Sequence, residues 1–219
     1  MSKGPLLGLV LTAMAGWVDA IGFLRLGGFY PSFMSGNTTQ LGIALGNVNL
    51  QTAALPALLV GLFVAGVFAA AAIADSSMRW RLPNCFLLET LVLTAAMLFS
   101  AAQPELALAL APLAFAMGLQ NVPARKISQP GLGITFVTGT LVRLGETLAG
   151  RALGRSGPSP LLPGLTWIAM AAGAVAGAAA RVAFGALALA IPACCSALAT
   201  VLAASAVVAP HGNADAKAD

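Results

Sequence analysis

The sequence predicts an all-α integral membrane protein with six spanning helices and two short re-entrant or broken helices, arranged as two inverted three-span repeats. Three observations lead to this prediction. The chain of 219 residues is 59% hydrophobic and only 8% charged, whereas about a quarter of the residues in soluble domains are charged. Uncharged runs such as 55–74 have the length of about 20 residues that crosses a bilayer as a helix. A polar motif also occurs twice, about a hundred residues apart.

Eight apolar stretches follow one another along the chain. We expect all of them to be helical, because backbone groups in lipid must be hydrogen-bonded within the segment or within a closed barrel. Unbroken Ala, Leu and Val runs argue against the alternating pattern of a barrel. The first repeat is assigned to 1–103, the second to 104–210, and 211–219 form a solvated tail. The stretches are 5–24, 33–48, 53–74, 84–102, 105–122, 133–150, 161–180 and 184–208.

The basic residues between the stretches distinguish two topologies. If all eight stretches cross the membrane, these residues divide four against six. If 33–48 and 133–150 each return to the side from which they came, the division is eight against two, with only Arg25 and Arg181 on the minor side. Cytoplasmic loops carry an excess of Lys and Arg. We therefore favour six spans with both termini cytoplasmic, and eight spans in two parallel repeats is the alternative.

The repeated motif marks a candidate binding site. In each copy a polar residue lies near the end of one apolar stretch, and a small polar turn opens a short second stretch. A half-helix that begins within the membrane points unpaired N–H groups and a positive dipole end into the protein. Two such ends can hold an anion or a polar group, whereas tight packing of small residues is the alternative interpretation. The copies are 16–19 with 33–42, and 118–121 with 136–145.

Charged side chains within the stretches are further candidates. Arg143 lies one turn into the sixth stretch, where a charge usually faces a cavity or a partner, and Glu146 is close enough to pair with it. Asp19 near the end of the first stretch can pair with Arg25 or Arg143, or carry a proton. Glu89 in the fourth stretch is expected to reach the interface or to pair with a nearby arginine at 79 or 81.

The motif residues resemble a known family. The segments 16–23, 33–38 and 118–121 are similar to those of the YoaK-like family of bacterial inner-membrane proteins, DUF1275, and the resemblance covers about residues 7–205. It implies a polytopic protein of the bacterial inner membrane and no particular substrate or catalytic residue. In the second copy Thr140 stands where the family pattern has Asn after the glycine.

Together these features predict a small-solute transporter or channel, with a non-transporting scaffold or accessory subunit as the alternative. The solute would be small and polar or anionic, and the lipid bilayer is a second partner. Whether the chain also assembles as a homo-oligomer is left open by the sequence. We expect no enzyme activity, cofactor, metal site or nucleic-acid partner, since the one histidine, His211, is in the tail and no phosphate-binding loop motif occurs. The predicted site residues are Asp19, Ser35, Gly36, Asn37, Thr38, Gln120, Asn121, Thr138, Gly139, Thr140, Arg143 and Glu146.

Overall fold

A computed structural model describes residues 3–76, 80–127 and 137–208, and every regular element within these ranges is a helix. The all-α prediction is therefore confirmed. Arg79, residues 133–136 of the sixth stretch, and the tail 211–219 lie outside the described residues. The helices are α1 Lys3–Arg25, α2 Met34–Gly46, α3 Leu50–Ser76, α4 Arg81–Ala102, α5 Pro112–Ile127, α6 Val137–Ala152, α7 Leu161–Phe184 and α8 Ala190–Val208, with 3₁₀ turns at Ala107–Leu110 and Gly185–Leu189.

The helices differ in whether they are long enough to cross a bilayer. Within the described residues, four apolar helical stretches have the necessary length and composition, and the last of them contains both α7 and α8. The apolar part of α5 with its preceding turn, Ala107–Pro123, is shorter. With 13 and 16 residues, α2 and α6 extend about 20 and 24 Å, less than the roughly 30 Å of a hydrocarbon core. The four stretches are Pro5–Arg25, Leu50–Ile73, Arg81–Ala102 and Leu161–Val208.

The most extensive helix contacts join elements that are far apart in sequence. Helix α1 packs along α7, α3 along α5, and α4 against α8, whereas α2 packs on α3 and α6 on α7. Glycines allow the closest of these approaches. Gly16 of α1 lies against the backbone of Met170 in α7, and Gly118 of α5 lies against the backbone of Phe63 in α3. At both crossings an added Cβ would overlap the carbonyl oxygen of the opposite helix.

The contacts along α1 and α7 fix their relative direction. Gly173 of α7 faces Ala13 of α1, and Gly177 faces Trp17 one turn further along both helices, so the two helices run in the same direction. The half-buried indole of Trp17 also donates a hydrogen bond from Nε1 to the carbonyl oxygen of Ala188, at 3.0 Å. This bond joins α1 to the 3₁₀ turn before α8.

The ends of three helices lie at one end of the bundle. The guanidinium of Arg25, the last residue of α1, donates a hydrogen bond to the carbonyl oxygen of Pro104, two residues beyond the end of α4. Arg181, near the end of α7, lies close enough to Arg25 for the two positive charges to repel each other. The C-terminal ends of α1, α4 and α7 are therefore neighbours.

Apolar side chains occupy both the core and the outer surface. The core contains fully buried residues such as Leu11, Val18 and Phe86. Large apolar side chains such as Phe68 and Val175 are each 72% exposed on the outside. In water such a surface would be unstable, whereas lipid solvates it. Together with the long apolar helices, it identifies a transmembrane protein.

Candidate functional site

The chain reverses direction directly after α1. Gly27 and Gly28 have φ values of 69° and 94°, in the left-handed region that favours glycine. The chain then folds back on α1, with the ring of Pro31 on Gly22 and Ser32 beside Asp19. The segment that leads into α2 therefore lies beside Asp19, about 9 Å before the C-terminal end of α1.

The carboxylate of Asp19 holds this returning segment. Asp19 is 4% exposed. Its Oδ1 accepts the backbone N–H of Ser32 and its Oδ2 accepts the hydroxyl of Ser32, both at 2.6 Å, and the backbone N–H of Phe33 also bonds the carboxylate. Asp19 forms an ion pair with neither Arg25 nor Arg143, because its oxygens are already bonded to the segment that leads into α2.

The side chain of Asn37 fixes the same segment from the other side. It is fully buried, its Oδ1 accepts the backbone N–H of Tyr30 at 3.0 Å, and its Nδ2 donates to the Tyr30 carbonyl at 2.6 Å. The ring of Phe33 leaves no room for a side chain at Gly36. Both polar groups of Asn37 are thus bonded to the main chain, and the small residue at Gly36 lets the aromatic ring lie against α2.

A cavity of about 510 Å³ lies beside this segment, within the roughly 300–1,000 Å³ typical of ligand sites. It is bounded by α1, by the residues just before α2, by the first turn of α6 and by α7. The cavity therefore brings together the starts of the two short helices. Its lining consists of Gly16, Asp19, Ala20, Phe23, Leu24, Tyr30, Phe33, Val137, Thr138, Met170, Ala174 and Ala178.

The walls of the cavity are mainly apolar and aromatic. The rings of Phe23 and Tyr30 have centroids 5.0 Å apart, and Phe33 meets Tyr30 edge-on at 5.3 Å. The polar side chains at the wall belong to Asp19, Tyr30 and Thr138. Helix α2 has no side-chain cap at its N-terminus. The N–H of its first residue, Met34, bonds the carbonyl of Ser32 at 3.0 Å, and no residue of α2 lines the cavity.

Only some of the predicted residues reach this cavity. Asp19 and Thr138 line it, and Gly36 and Asn37 support its aromatic wall. Ser35 and Thr38 are exposed on α2, and the hydroxyl of Thr38 donates to the carbonyl of Met34 at 2.8 Å. Neither is part of the lining.

The remaining predicted residues of α6 have varied positions. Gly139 is exposed, whereas Thr140 is buried and makes a polar contact. Arg143 and Glu146 are both exposed. In the described part of the chain no ion pair joins them, and neither lines the cavity.

The polar pair of the second motif copy lies on α5, outside the cavity. Gln120 is buried, its Nε2 is 4.0 Å from the Met14 sulfur, and its Oε1 has no hydrogen-bond partner in the described structure. Asn121 donates from Nδ2 to the Met117 carbonyl at 2.7 Å and makes a further contact. Gln120 therefore lies where α5 contacts α1, whereas the hydrogen bond from Asn121 to Met117 stays within α5.

Sequence reasoning missed the residues that shape the cavity wall. Phe23 and Tyr30 line the cavity, and neither is among the predicted site residues. Their signal was the position of two aromatic residues on either side of Gly27-Gly28, which the reversal brings face to face. No group of three or more potential metal ligands occurs among the described residues.

Comparison with known proteins gives the family of this sequence. Residues 7–202 match the family described as a protein of unknown function, DUF1275. The chain is 37% identical over 202 residues to UPF0700 transmembrane protein RA0705 of Rhizobium meliloti, covering 92% of this chain and 87% of that protein. It is 32% identical over 151 residues to UPF0700 transmembrane protein YoaK of Bacillus subtilis, covering 65% and 66%. No solved structure is significantly similar.

Proposed function

Because the chain belongs to the DUF1275 family of transmembrane proteins, whose description assigns no activity, we propose its function from the cavity. We propose that it is a small-solute transporter or channel of the bacterial inner membrane. The observation that carries this proposal is the cavity of about 510 Å³ bounded by the residues that lead into α2 and by the first residues of α6. A cavity at this position would receive a solute between two helix N-termini.

The hydrogen bond from Arg25 to Pro104 supports a re-entrant α2. Between these residues the chain passes through α2, α3 and α4, and α3 and α4 are both long enough to cross the membrane. Two crossings return the chain to the same side, whereas three would leave the bonded groups about 30 Å apart. We therefore infer that α2 enters and leaves on one side.

The position of α6 supports the same interpretation for the second half. Its first residues, Val137 and Thr138, share the cavity with Ala174 in the middle of α7, and Leu144 lies 3.8 Å from the Cβ position of Gly164 nearer the start of α7. Helix α6 thus runs from the middle of α7 toward its N-terminal end. In the proposed topology α2 and α6 leave the cavity in opposite directions, toward opposite membrane surfaces.

The helix crossings support a two-fold arrangement of the halves. Gly16 and Gly118 occupy matching positions in the two motif copies, and each lies in a close crossing with a helix of the other half. Three spans in each half give the halves opposite orientations, as in many transporters whose substrate sites lie between inverted repeats. The proposed solute site therefore lies near the membrane midplane.

The lining favours a small polar or anionic solute that also has an apolar portion. The Thr138 hydroxyl would bond the polar end, while the rings of Phe23 and Phe33 would cover the apolar part. Asp19 would hold the segment before α2, and Arg143 and Glu146 would act outside the cavity. The rival function is a scaffold, which is favoured by one observation: both Asp19 and Asn37 are bonded to their own chain.

Filling the cavity tests the transport proposal. Ala178 lines it, and its neighbour Ala179 is exposed elsewhere on α7. We would measure uptake of graded monocarboxylates, neutral amino acids and polyols into proteoliposomes. We expect the wild-type protein to accelerate the uptake of at least one of these probes. Ala178→Leu should reduce that uptake strongly, and Ala179→Leu should leave it near the wild-type rate. Uptake no faster than in empty liposomes, or equal uptake by both variants, would favour the scaffold.

Cysteine labelling tests the topology separately. In a background in which the three native cysteines are replaced, single cysteines at Asn49, Gln103 and Gly157 would be exposed to a membrane-impermeant maleimide. The proposed topology predicts labelling of the first two positions from one side and of Gly157 from the other. Labelling of all three from the same side would establish eight spans and refute the re-entrant helices.

A further inference from the structure

A buried carboxyl group lies between α4 and α8, at a site separate from the cavity. Glu89 of α4 and Ser196 of α8 are both completely buried. The expected pairing of Glu89 with Arg81 does not occur, because Arg81 lies eight residues earlier on α4, about 12 Å along the helix axis. Arg79 lies outside the described residues. Glu89 thus faces a hydroxyl group in place of an arginine.

The hydrogen bonds around Glu89 are few. The Ser196 hydroxyl oxygen is 3.1 Å from Oε2 of Glu89 and 3.0 Å from the carbonyl oxygen of Phe86. A serine hydroxyl carries a single proton, so it can donate fully to only one of these acceptors. Glu89 Oε1 has no hydrogen-bond partner in the described structure. An ionised Glu89 would therefore receive at most one hydrogen bond.

Asp19 provides a comparison within the same protein. Its buried carboxylate receives hydrogen bonds from two groups of Ser32 and from the backbone of Phe33. A buried carboxylate is tolerated when donors or a cation compensate its charge, and is strongly unfavourable otherwise. Glu89 has neither several donors nor a bonded cation in the described structure, so its surroundings suit the uncharged acid.

The ionisable neighbours on the packed elements do not change this conclusion. On α8 they are the thiols of Cys194 and Cys195, and on α4 itself they are Arg81 and the Cys85 thiol, which donates to the carbonyl of Ala70. The two 3₁₀ turns beside α4 carry no ionisable side chain. The ionisable residues of α3 and α5 lie near the C-terminal ends of these helices, and they are Asp75, Arg125 and Lys126. Their side chains lie outside the described structure.

We propose that Glu89 is a proton-binding site within the membrane, formed by α4 and α8. In this arrangement the protonated Oε2 donates to the Ser196 hydroxyl, which in turn donates to the Phe86 carbonyl. The proton leaves when α4 and α8 separate enough for water to reach the carboxyl group. Proton release and separation of the two helices are therefore linked, and the packed arrangement weakens as pH rises. The inference does not depend on the solute cavity.

Infrared spectroscopy and thermal unfolding of the full-length protein in detergent micelles test this proposal. At neutral pH we expect a carbonyl-stretch band of a buried carboxylic acid, which Glu89→Gln weakens or removes. Glu105 is an exposed carboxylate just beyond α4, and Glu105→Gln is the matched control that keeps the band. The wild-type unfolding temperature should fall between mildly acidic and mildly alkaline pH, and Glu89→Gln should lose that dependence.

A second variant keeps the test decisive if Glu89→Gln fails to fold. Ser196→Ala removes the hydrogen-bond partner, so the band should persist and shift to higher frequency. Absence of the band in the wild type, an unchanged band in Glu89→Gln, or no shift in Ser196→Ala would refute proton binding. Stabilisation of the wild type by sodium or potassium ions at constant ionic strength, lost in Glu89→Gln, would assign the site to a metal cation and overturn the proposal.

Discussion

Replacement of Asn37 by alanine should destabilise the protein by about 2–6 kcal/mol, since it leaves two buried backbone groups without a partner and each costs about 1–3 kcal/mol. The fully buried amide bonds both backbone groups of Tyr30, at 3.0 Å and 2.6 Å. Alanine removes both bonds, and no other polar side chain in the described structure bonds these two groups. The segment before α2 would then lose its attachment to that helix.

The assay is reversible chemical unfolding in mixed detergent–lipid micelles, followed by circular dichroism. Thr38→Ala is the matched control, because its exposed hydroxyl bonds a carbonyl of its own helix and its removal should change stability by less than about 0.5 kcal/mol. Asn37→Asp should be at least as harmful as alanine, because it sets a carboxylate oxygen against the Tyr30 carbonyl. If Asn37→Ala unfolded within about 0.5 kcal/mol of the wild type, the inferred role of this amide would be refuted.

Three further variants are expected to change stability in the same assay. Gly16→Ala should cost about 1–3 kcal/mol because its methyl group overlaps the α7 backbone. Gly145→Ala, with nothing within 4 Å of the added methyl, is its control, and equal effects would contradict the close crossing. Trp17→Phe should cost about 1 kcal/mol through loss of the indole hydrogen bond to Ala188, and wild-type stability would argue against that bond. Ser32→Ala removes one bond to the buried carboxylate of α1 and should cost about 1.5–3 kcal/mol; an unchanged midpoint would show that the backbone bond suffices.

The sequence was sufficient to predict the helical class and the start of the first short helix. The polar turn at 33–38 predicted where α2 begins, within a residue or two, because small polar residues interrupt otherwise uniform apolar runs. The predicted start of the second short stretch, at 133–136, lies outside the described residues. Asp19 was also identified, since a carboxylate in an apolar stretch is rare. Its partner Ser32 was not, because only the reversal at Gly27-Gly28 brings the two together.

The helix pairings could not be predicted in this way. Contacts between membrane helices depend on backbone approach at small residues, and glycine and alanine are spread over most of these helices. Only the structure shows that Gly16 meets α7 and Gly118 meets α3. Glu89 was likewise assigned to arginines nearby in sequence, whereas its neighbour Ser196 is more than a hundred residues away.

The pairing of α1 with α7 has a consequence for biogenesis. When α1 leaves the ribosome and inserts into the bilayer, its main partner has not yet been made. Roughly 140 residues separate the end of α1 from the start of α7, which at about 5–20 residues per second corresponds to roughly 7–28 s of translation. During that interval the glycine surface of α1 faces lipid or the insertion machinery. Truncation before residue 161 should therefore leave a nascent chain open to degradation, however stable its individual helices are.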